Sequence, residues 1–365
     1  VMECAGSYNG RMGKQQGPTR RDFLRGRAAV DALLDLTQGE PAAGPEGSAA
    51  AKGAAAAGST GDAETGTASA GPPSLSAARY LVRVARLAMA CEFAIAFNAG
   101  QYADDTAAAM EALDLVERLE EQLSVYRETS ELSDVNRRAA EGPVEVEEGL
   151  LEVLQLGMQV HGETDGALDL TAGPLSRAWG FFRRAGQVPG DEELAAALAL
   201  VGSDDVRLDR DARTVSFGRA GIELNVNSLG KGYALDRAAE RLAAAGVEDF
   251  LMHGGRSSVL ARGSHAGSGA GGWRVGLRHP LRPERRLAEF RLRDRALATS
   301  GSAAPSFHHQ GRRYGHVLDP RSGMPAAGVH SATVVAERAA LADALSTAFY
   351  VLGPEGARDY CAAHR

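Results

Sequence analysis

Tyr314-Gly-His-Val-Leu-Asp-Pro-Arg-Ser-Gly323, Ser331-Ala-Thr-Val-Val-Ala336 and Leu341-Ala-Asp-Ala-Leu-Ser-Thr-Ala348 follow one another in a single stretch that ends at Gly353-Pro354. The first block reads as a polar turn, the second as a strand and the third as a helix. In that helix Asp343 and Thr347 are four residues apart and share one face, beside the apolar Leu345 and Phe349. A carboxylate and a hydroxyl are thus offered together from a rigid element. Gly353 tolerates the left-handed conformation that ends a helix, and Pro354 cannot continue one, so a stop is predicted there. An Asp oxygen with a Thr oxygen is a pattern that suits magnesium, a hard cation that keeps much of its water. The same spacing also suits a solvated helix face, and His316 before Asp319-Pro320 also suits a turn residue, so the choice rests on the remainder of the chain.

Outward from that stretch, composition divides the chain. Residues 1–36 form a basic arm, 37–78 an Ala/Gly/Ser-rich tether, and 79–365 the folded domain. The tether has almost no large apolar side chains, so burial cannot offset the entropy of ordering it. Net charge is −7, from 40 Lys and Arg against 47 Asp and Glu, without an evident basic stripe; this argues against nucleic acid as a partner. Cys4, Cys91 and Cys361 are odd in number and far apart, which supports neither a disulfide framework nor a thiolate metal site. No apolar run approaches the roughly 18 residues that span a bilayer. Thr19-Arg-Arg-Asp-Phe-Leu-Arg25 is like a twin-arginine export signal, but the region after it contains an arginine and two aspartates. Two compartments therefore stay open, an exported, membrane-associated one and the cytoplasm.

Periodicity gives a coarse order of elements. Leu81 to Phe97 reads as one strand, and Asp104 to Leu123 as a helix with Met110, Leu113, Val116, Leu119 and Leu123 on its apolar face. Ser124 to Asn136, dense in hydroxyls and amides, reads as a loop of capping turns or a binding edge. Glu147 to Thr164 is a second helix, Pro174 starts a third with Trp179 and Phe181 as core aromatics, and Glu192 to Leu200 is a fourth. A hairpin over Val206 to Phe217 precedes a strand over Ile222 to Val226. That strand enters Gly230-Lys-Gly-Tyr-Ala-Leu-Asp236, where glycines let backbone approach a ligand and a helix N-terminus favours an anion. The block is not a P-loop, because Asn225 and Gly232 occupy positions where that motif needs Gly and Ser or Thr. Strands follow after Asp249, over Trp273 to Pro280 and over Arg286 to Leu297, with His308 and His309 in an exposed loop.

In this order the blocks resemble the FAD:protein FMN transferase family, the ApbE-type flavin transferases. The similarity covers Arg79 to the C-terminus: Ala88-Met89, Ser124-Val-Tyr126, Leu170-Thr-Ala-Gly-Pro-Leu175 with Trp179-Gly-Phe181, Gly230 to Asp236, Gly254-Gly255, Ala298-Thr-Ser-Gly301, His316 to Gly323 and Ala342 to Thr347. The resemblance implies an α+β fold, two lobes of largely antiparallel sheet with helices, related to the T-fold and enclosing an FAD site. It implies transfer of FMN from FAD to a Ser or Thr hydroxyl of a membrane-associated redox protein, with release of AMP. By the same resemblance Asp343, Thr347 and the Gly230 carbonyl hold magnesium and His316 belongs to the reacting centre. Met89, Tyr126, Lys231, Asp236, Gly254, Gly255, Ser300 and Gly301 border the FAD, Tyr126 lying against the flavin. The chain departs from the family at Asn225, Asn227 and Ser228, and at Arg256, where acids or glycines are usual. The family pattern also leads us to expect one more strand after Arg365. An FAD pyrophosphatase and a flavin carrier are the alternatives that the residues leave open.

Overall fold

The computed structural model describes residues 80–182, 186–267, 271–301 and 306–364; the arm and tether expected before residue 79 lie outside them. Leu81–Ala88 (β1) and Cys91–Asn98 (β2) pair as a hairpin and lead into helices Asp105–Leu123 (α1) and Glu131–Arg138 (α2). Val144–Glu145 (β3), Glu148–Glu163 (α3), Gly173–Ala178 (α4), Asp191–Leu198 (α5), Val206–Asp209 (β4) and Thr214–Phe217 (β5) follow. Then come Gly230–Ala244 (α6), Phe250–Gly254 (β6), Ser258–Arg262 (β7), Trp273–His279 (β8), Arg282–Leu292 (β9), Arg295–Gly301 (β10), Ser306–His309 (β11), Arg312–Gly315 (β12), Ser331–Ala336 (β13) and Ala339–Ala363 (α7).

The central sheet has the order β1-β2-β6-β7-β10-β13 and every neighbouring pair is antiparallel, in keeping with the expected α+β class. Phe93, Ile95 and Phe97 alternate onto the face that α1, α6 and α7 cover, where they meet Leu113, Val116, Leu235 and Ala344 in the main core. The opposite face carries Leu251, Val259 and Leu297, and is covered by Trp273, Val275 and Leu292 from the base of the β8–β9 hairpin. A small sheet, β3-β5-β4, accompanies α3, while α4 and α5 pack with the β11–β12 hairpin around Trp179, Phe307 and Tyr314. No helix among the described residues is long and apolar enough to cross a membrane.

Several expected elements differ, each for a local reason. The single strand over Leu81 to Phe97 is two strands, because Met89 and Ala90 take φ of 50° and 57° in a two-residue turn. Turns of that hand normally announce themselves by Asn or Gly, and here the signal is absent. Ser124 to Asn136 contains a helix: the Ser130 hydroxyl accepts from the Ser133 N–H at 3.0 Å, and Leu132 and Val135 are fully buried. Met110 of α1 is exposed, unlike its periodic neighbours. Ile222, Leu224 and Val226 are buried alternately, as a strand would have them, yet among the described residues they pair with no strand. The Asn136 amide substitutes for one, donating to the Leu224 carbonyl at 2.9 Å and accepting from its N–H at 2.8 Å. Arg286 to Leu297 breaks at Asp294, whose φ is 51°, into β9 and β10. His308 and His309 are exposed as expected, although they lie on β11 rather than in a loop. Gly353, φ 75°, ends the first part of α7, but the chain resumes helical geometry from Pro354 to Ala363.

Candidate active site

A cavity of about 550 Å³ opens where the ends of the central elements meet. The N-terminus of α6 brings Ser228 and Lys231, the turn before β7 brings Ser257, β10 brings Thr299, Ser300 and Gly301, and α7 brings Asp343 and Thr347. The segment after α4 adds Phe181 and Phe182, and the block before β13 adds His316. Residues far apart in sequence thus converge because antiparallel strands return their ends to one edge of the sheet.

Asp343 is buried and its two carboxylate oxygens are held separately, one by the Gly232 N–H at 2.7 Å and the other by the Ser258 hydroxyl at 2.6 Å. Burial pushes its carboxyl above the usual range, against the opposing pull of Lys231, Ser258 and Gly232. One turn further on, the Thr347 hydroxyl lies 3.1 Å from that of Ser300, which is also 2.9 Å from Ser346. A buried carboxylate, two hydroxyls and the Gly230 carbonyl at the start of α6 are all hard oxygen donors, and the carboxylate lacks a bonded cationic partner among the described residues. This donor set suits a hard cation that completes its shell with water and phosphate oxygens. It is not a cage of acids: among the described residues no three His, Cys, Asp or Glu side chains cluster as ligands.

Opposite this polar floor stands an aromatic wall. Tyr126 is more than half exposed and its ring centroid is 4.8 Å from that of Phe182. The Arg177 guanidinium lies over the Phe182 ring at 3.9 Å and forks onto Glu223 at 2.7 and 3.0 Å. Asn227 donates to the Tyr126 hydroxyl at 3.2 Å, while Asn225 accepts from the Asn227 N–H at 2.9 Å. Asn225 thus braces Asn227, which in turn holds the Tyr126 side of this wall. His316 presents its ring edge-on to Phe181 at 6.5 Å.

Of the residues expected from the sequence, Tyr126, Lys231, Ser300, Gly301, His316, Asp343 and Thr347 line the one cavity. Met89 does not: it sits in the β1–β2 turn and packs on the main core. Asp236 does not either, since its carboxylate accepts from the Ala339 and Ala340 N–H groups at 2.7 and 2.9 Å and caps the start of α7. Gly254 faces Phe93, and Gly255, φ 60°, faces Cys91 and turns the chain toward Ser257. Gly230 opens α6 beside the cavity, and Gly232 lets α6 approach α7: a Cβ there would stand 2.2 Å from the Ala339 carbonyl oxygen. The close approach expected of these glycines is thus helix to helix at Gly232. Phe182, Asn227, Ser257 and Thr299 were not singled out as site residues by the sequence. Ser257 had a signal, its place in the Gly254 to Ser258 turn, whereas Phe182 had none.

The family model described as the ApbE family matches residues 89–365. A protein of Vibrio cholerae serotype O1 named FAD:protein FMN transferase is 33% identical over 245 residues, 66% of this chain and 72% of that one. One of the same name from Klebsiella pneumoniae is 31% identical over 267 residues, 72% of this chain and 80% of that one. The crystal structure of the ApbE protein of Thermotoga maritima superposes with a TM-score of 0.71 at 29% identity, covering 78% of this chain and 91% of that one. The flavin transferase ApbE from Vibrio cholerae gives a TM-score of 0.69 at 29% identity over the same shares.

Proposed function

The chain belongs to the ApbE family, and from that premise we propose that it is an FAD:protein FMN transferase acting on a serine or threonine hydroxyl of an acceptor protein. The observation that carries the reading is the convergence, in one cavity, of an aromatic wall at Tyr126 and Phe182 with a floor made by Lys231, Asp343, Thr347 and Ser300. FAD needs both, a planar ring at one end and a pyrophosphate in the middle. The Lys231 ammonium, in the cavity lining, suits the pyrophosphate.

Asp343, Thr347 and the Gly230 carbonyl are the residues we assign to magnesium. Bound there, the cation supplies neutralisation of charge on the pyrophosphate. The acceptor hydroxyl attacks the phosphorus of the FMN half, a new P–O bond forms, and the P–O bond to AMP breaks with its electron pair leaving on AMP. The proton released by the hydroxyl passes to the His316 imidazole. Tyr126 orients the flavin, and the Asn227 amide holds the Tyr126 hydroxyl. FAD contact is assigned to Tyr126, Lys231, Ser300 and Gly301, with the Gly254-Gly255 turn as their support; Met89 and Asp236 serve the fold. The acceptor is proposed to be a membrane-associated redox protein.

Mass spectrometry tests the reading. A candidate acceptor incubated with this protein, FAD and magnesium gains one covalently bound FMN while AMP accumulates, and chelation stops both. Release of free FMN with AMP and no modified acceptor would overturn transfer in favour of FAD pyrophosphatase activity.

A further inference from the structure

The β8–β9 hairpin, Trp273 to Arg293, contains seven arginines and two glutamates, a net +5 in a chain of net −7. The excess is contiguous in the sequence, where the overall balance of charge hides it. Only the base of this hairpin is anchored, by Trp273, Val275 and Leu292. Beyond it, every side chain from Arg282 to Glu289 is exposed, and the two strands pair with each other alone. Glu289 is engaged by Arg274 and Arg286, so it neutralises charge near the base. Arg282 and Arg285, at and beside the tip, form no ion pair among the described residues. Flanking them stand Leu281, just before Arg282, and Leu287, two residues after Arg285, 57% and 54% exposed.

We propose that this hairpin is an arm that docks the protein on an anionic lipid surface, with Arg282 and Arg285 at the headgroups and Leu281 and Leu287 in the interface. Each arginine close to such a surface is attracted to it independently, and apolar side chains among cations add interfacial burial. The leucines favour lipid over nucleic acid, for a phosphate backbone gives them nothing to bury against. Arginine and proline on a strand edge also discourage edge-to-edge pairing, and the experiment separates that role from docking.

The full chain is sedimented with vesicles of phosphatidylcholine alone and of phosphatidylcholine with phosphatidylglycerol. Binding is expected to the anionic vesicles only, weakening as salt rises. The double variant Arg282→Glu/Arg285→Glu should lose at least tenfold in affinity, and Leu281→Asp a smaller factor. Arg207→Glu/Arg210→Glu, which reverses two exposed arginines on and beyond β4, should bind as the parent does and so isolates the arm from general charge and from the basic arm near residue 20. Unchanged binding by the Arg282/Arg285 variant overturns the proposal, and so does equal binding to neutral vesicles. Self-association of that variant with vesicle binding intact would make the arginines guards of a strand edge. Tighter binding of a labelled DNA duplex than of anionic vesicles at the same salt would assign the arm to nucleic acid. A far-UV melting curve matching the parent establishes that the variants are folded.

Discussion

Asp343 has been taken out of water and given two donors, and both facts bear on how its role is tested. Truncation to alanine strands the Gly232 N–H and the Ser258 hydroxyl, at a cost of about 1–3 kcal/mol for each buried donor left unpaired. Asp343→Asn is the sharper variant, since its amide oxygen still serves one donor while the charge is gone. We predict that it lowers FMN transfer by roughly 10²-fold or more at limiting magnesium, with a urea midpoint close to the parent's. A parental magnesium dependence would remove Asp343 from the metal site. His316→Asn is predicted to lower transfer by roughly 10²-fold, the scale of a positioned acid–base group, with FAD affinity unchanged. Loss of FAD affinity in step with activity would instead make it a binding residue. For Tyr126, flavin-fluorescence titration should show Tyr126→Ala weakened by on the order of 1 kcal/mol and Tyr126→Phe nearly unaffected, because the ring rather than the hydroxyl meets the flavin. Equal losses in both would place the weight on the Asn227 hydrogen bond.

At the scale of elements, the site depends on the seam between α6 and α7. Asp236 reaches from α6 to cap α7, Asp343 reaches from α7 to the Gly232 N–H of α6, and Gly232 supplies the space that lets the backbones meet. These reciprocal contacts fix Lys231 next to Asp343, so the register of the two helices is also the geometry of the phosphate floor. Gly232→Ala is therefore predicted to destabilise the protein by about 1–3 kcal/mol, as overpacking against backbone does, and to reduce activity beyond the share explained by unfolding. Urea denaturation with an activity assay far below the midpoint measures the two separately. A variant of parental stability would mean that the helices separate at no cost and that the seam does not set the site.

For the whole molecule, acid stability is the property most exposed to a single buried group. His253 on β6 is 3% exposed, its Nδ1 has no hydrogen-bond partner among the described residues, and burial, aided by Arg83 and Arg256, lowers its pKa from 6.5 to about 4. Its neutral form is the one the fold accepts, so the unfolded chain binds the proton more readily. Stability is then complete above the unfolded pKa and is lost as pH falls from 6.5 toward 4, in all on the order of 3 kcal/mol and about 2 kcal/mol of it by pH 5. Urea midpoints at pH 7 and pH 5 should separate by that amount in the parent and much less in His253→Gln. An equal drop in both would assign the acid sensitivity to carboxylates.

Much of this protein was legible before any fold was known. The helical spacing of Asp343 and Thr347, the strand before them, the small-residue turn at Gly254-Gly255 and the order of the polar blocks were local or sequential properties, and they sufficed for the α+β class and for the list from which the site is drawn. Side-chain direction was not among them. Asp236 and Asp343 are both acids on helices, and only the packing of α6 on α7 turned one to a helix cap and left the other on the floor of a cavity. Likewise Asn136 stands in for a strand, and Phe182, which no motif marks, is a wall of the cavity. Periodicity records which residues leave water, because burial follows a face. It does not record what a buried polar group meets, because that partner comes from a segment distant in sequence, and only the tertiary structure brings the two within hydrogen-bonding distance.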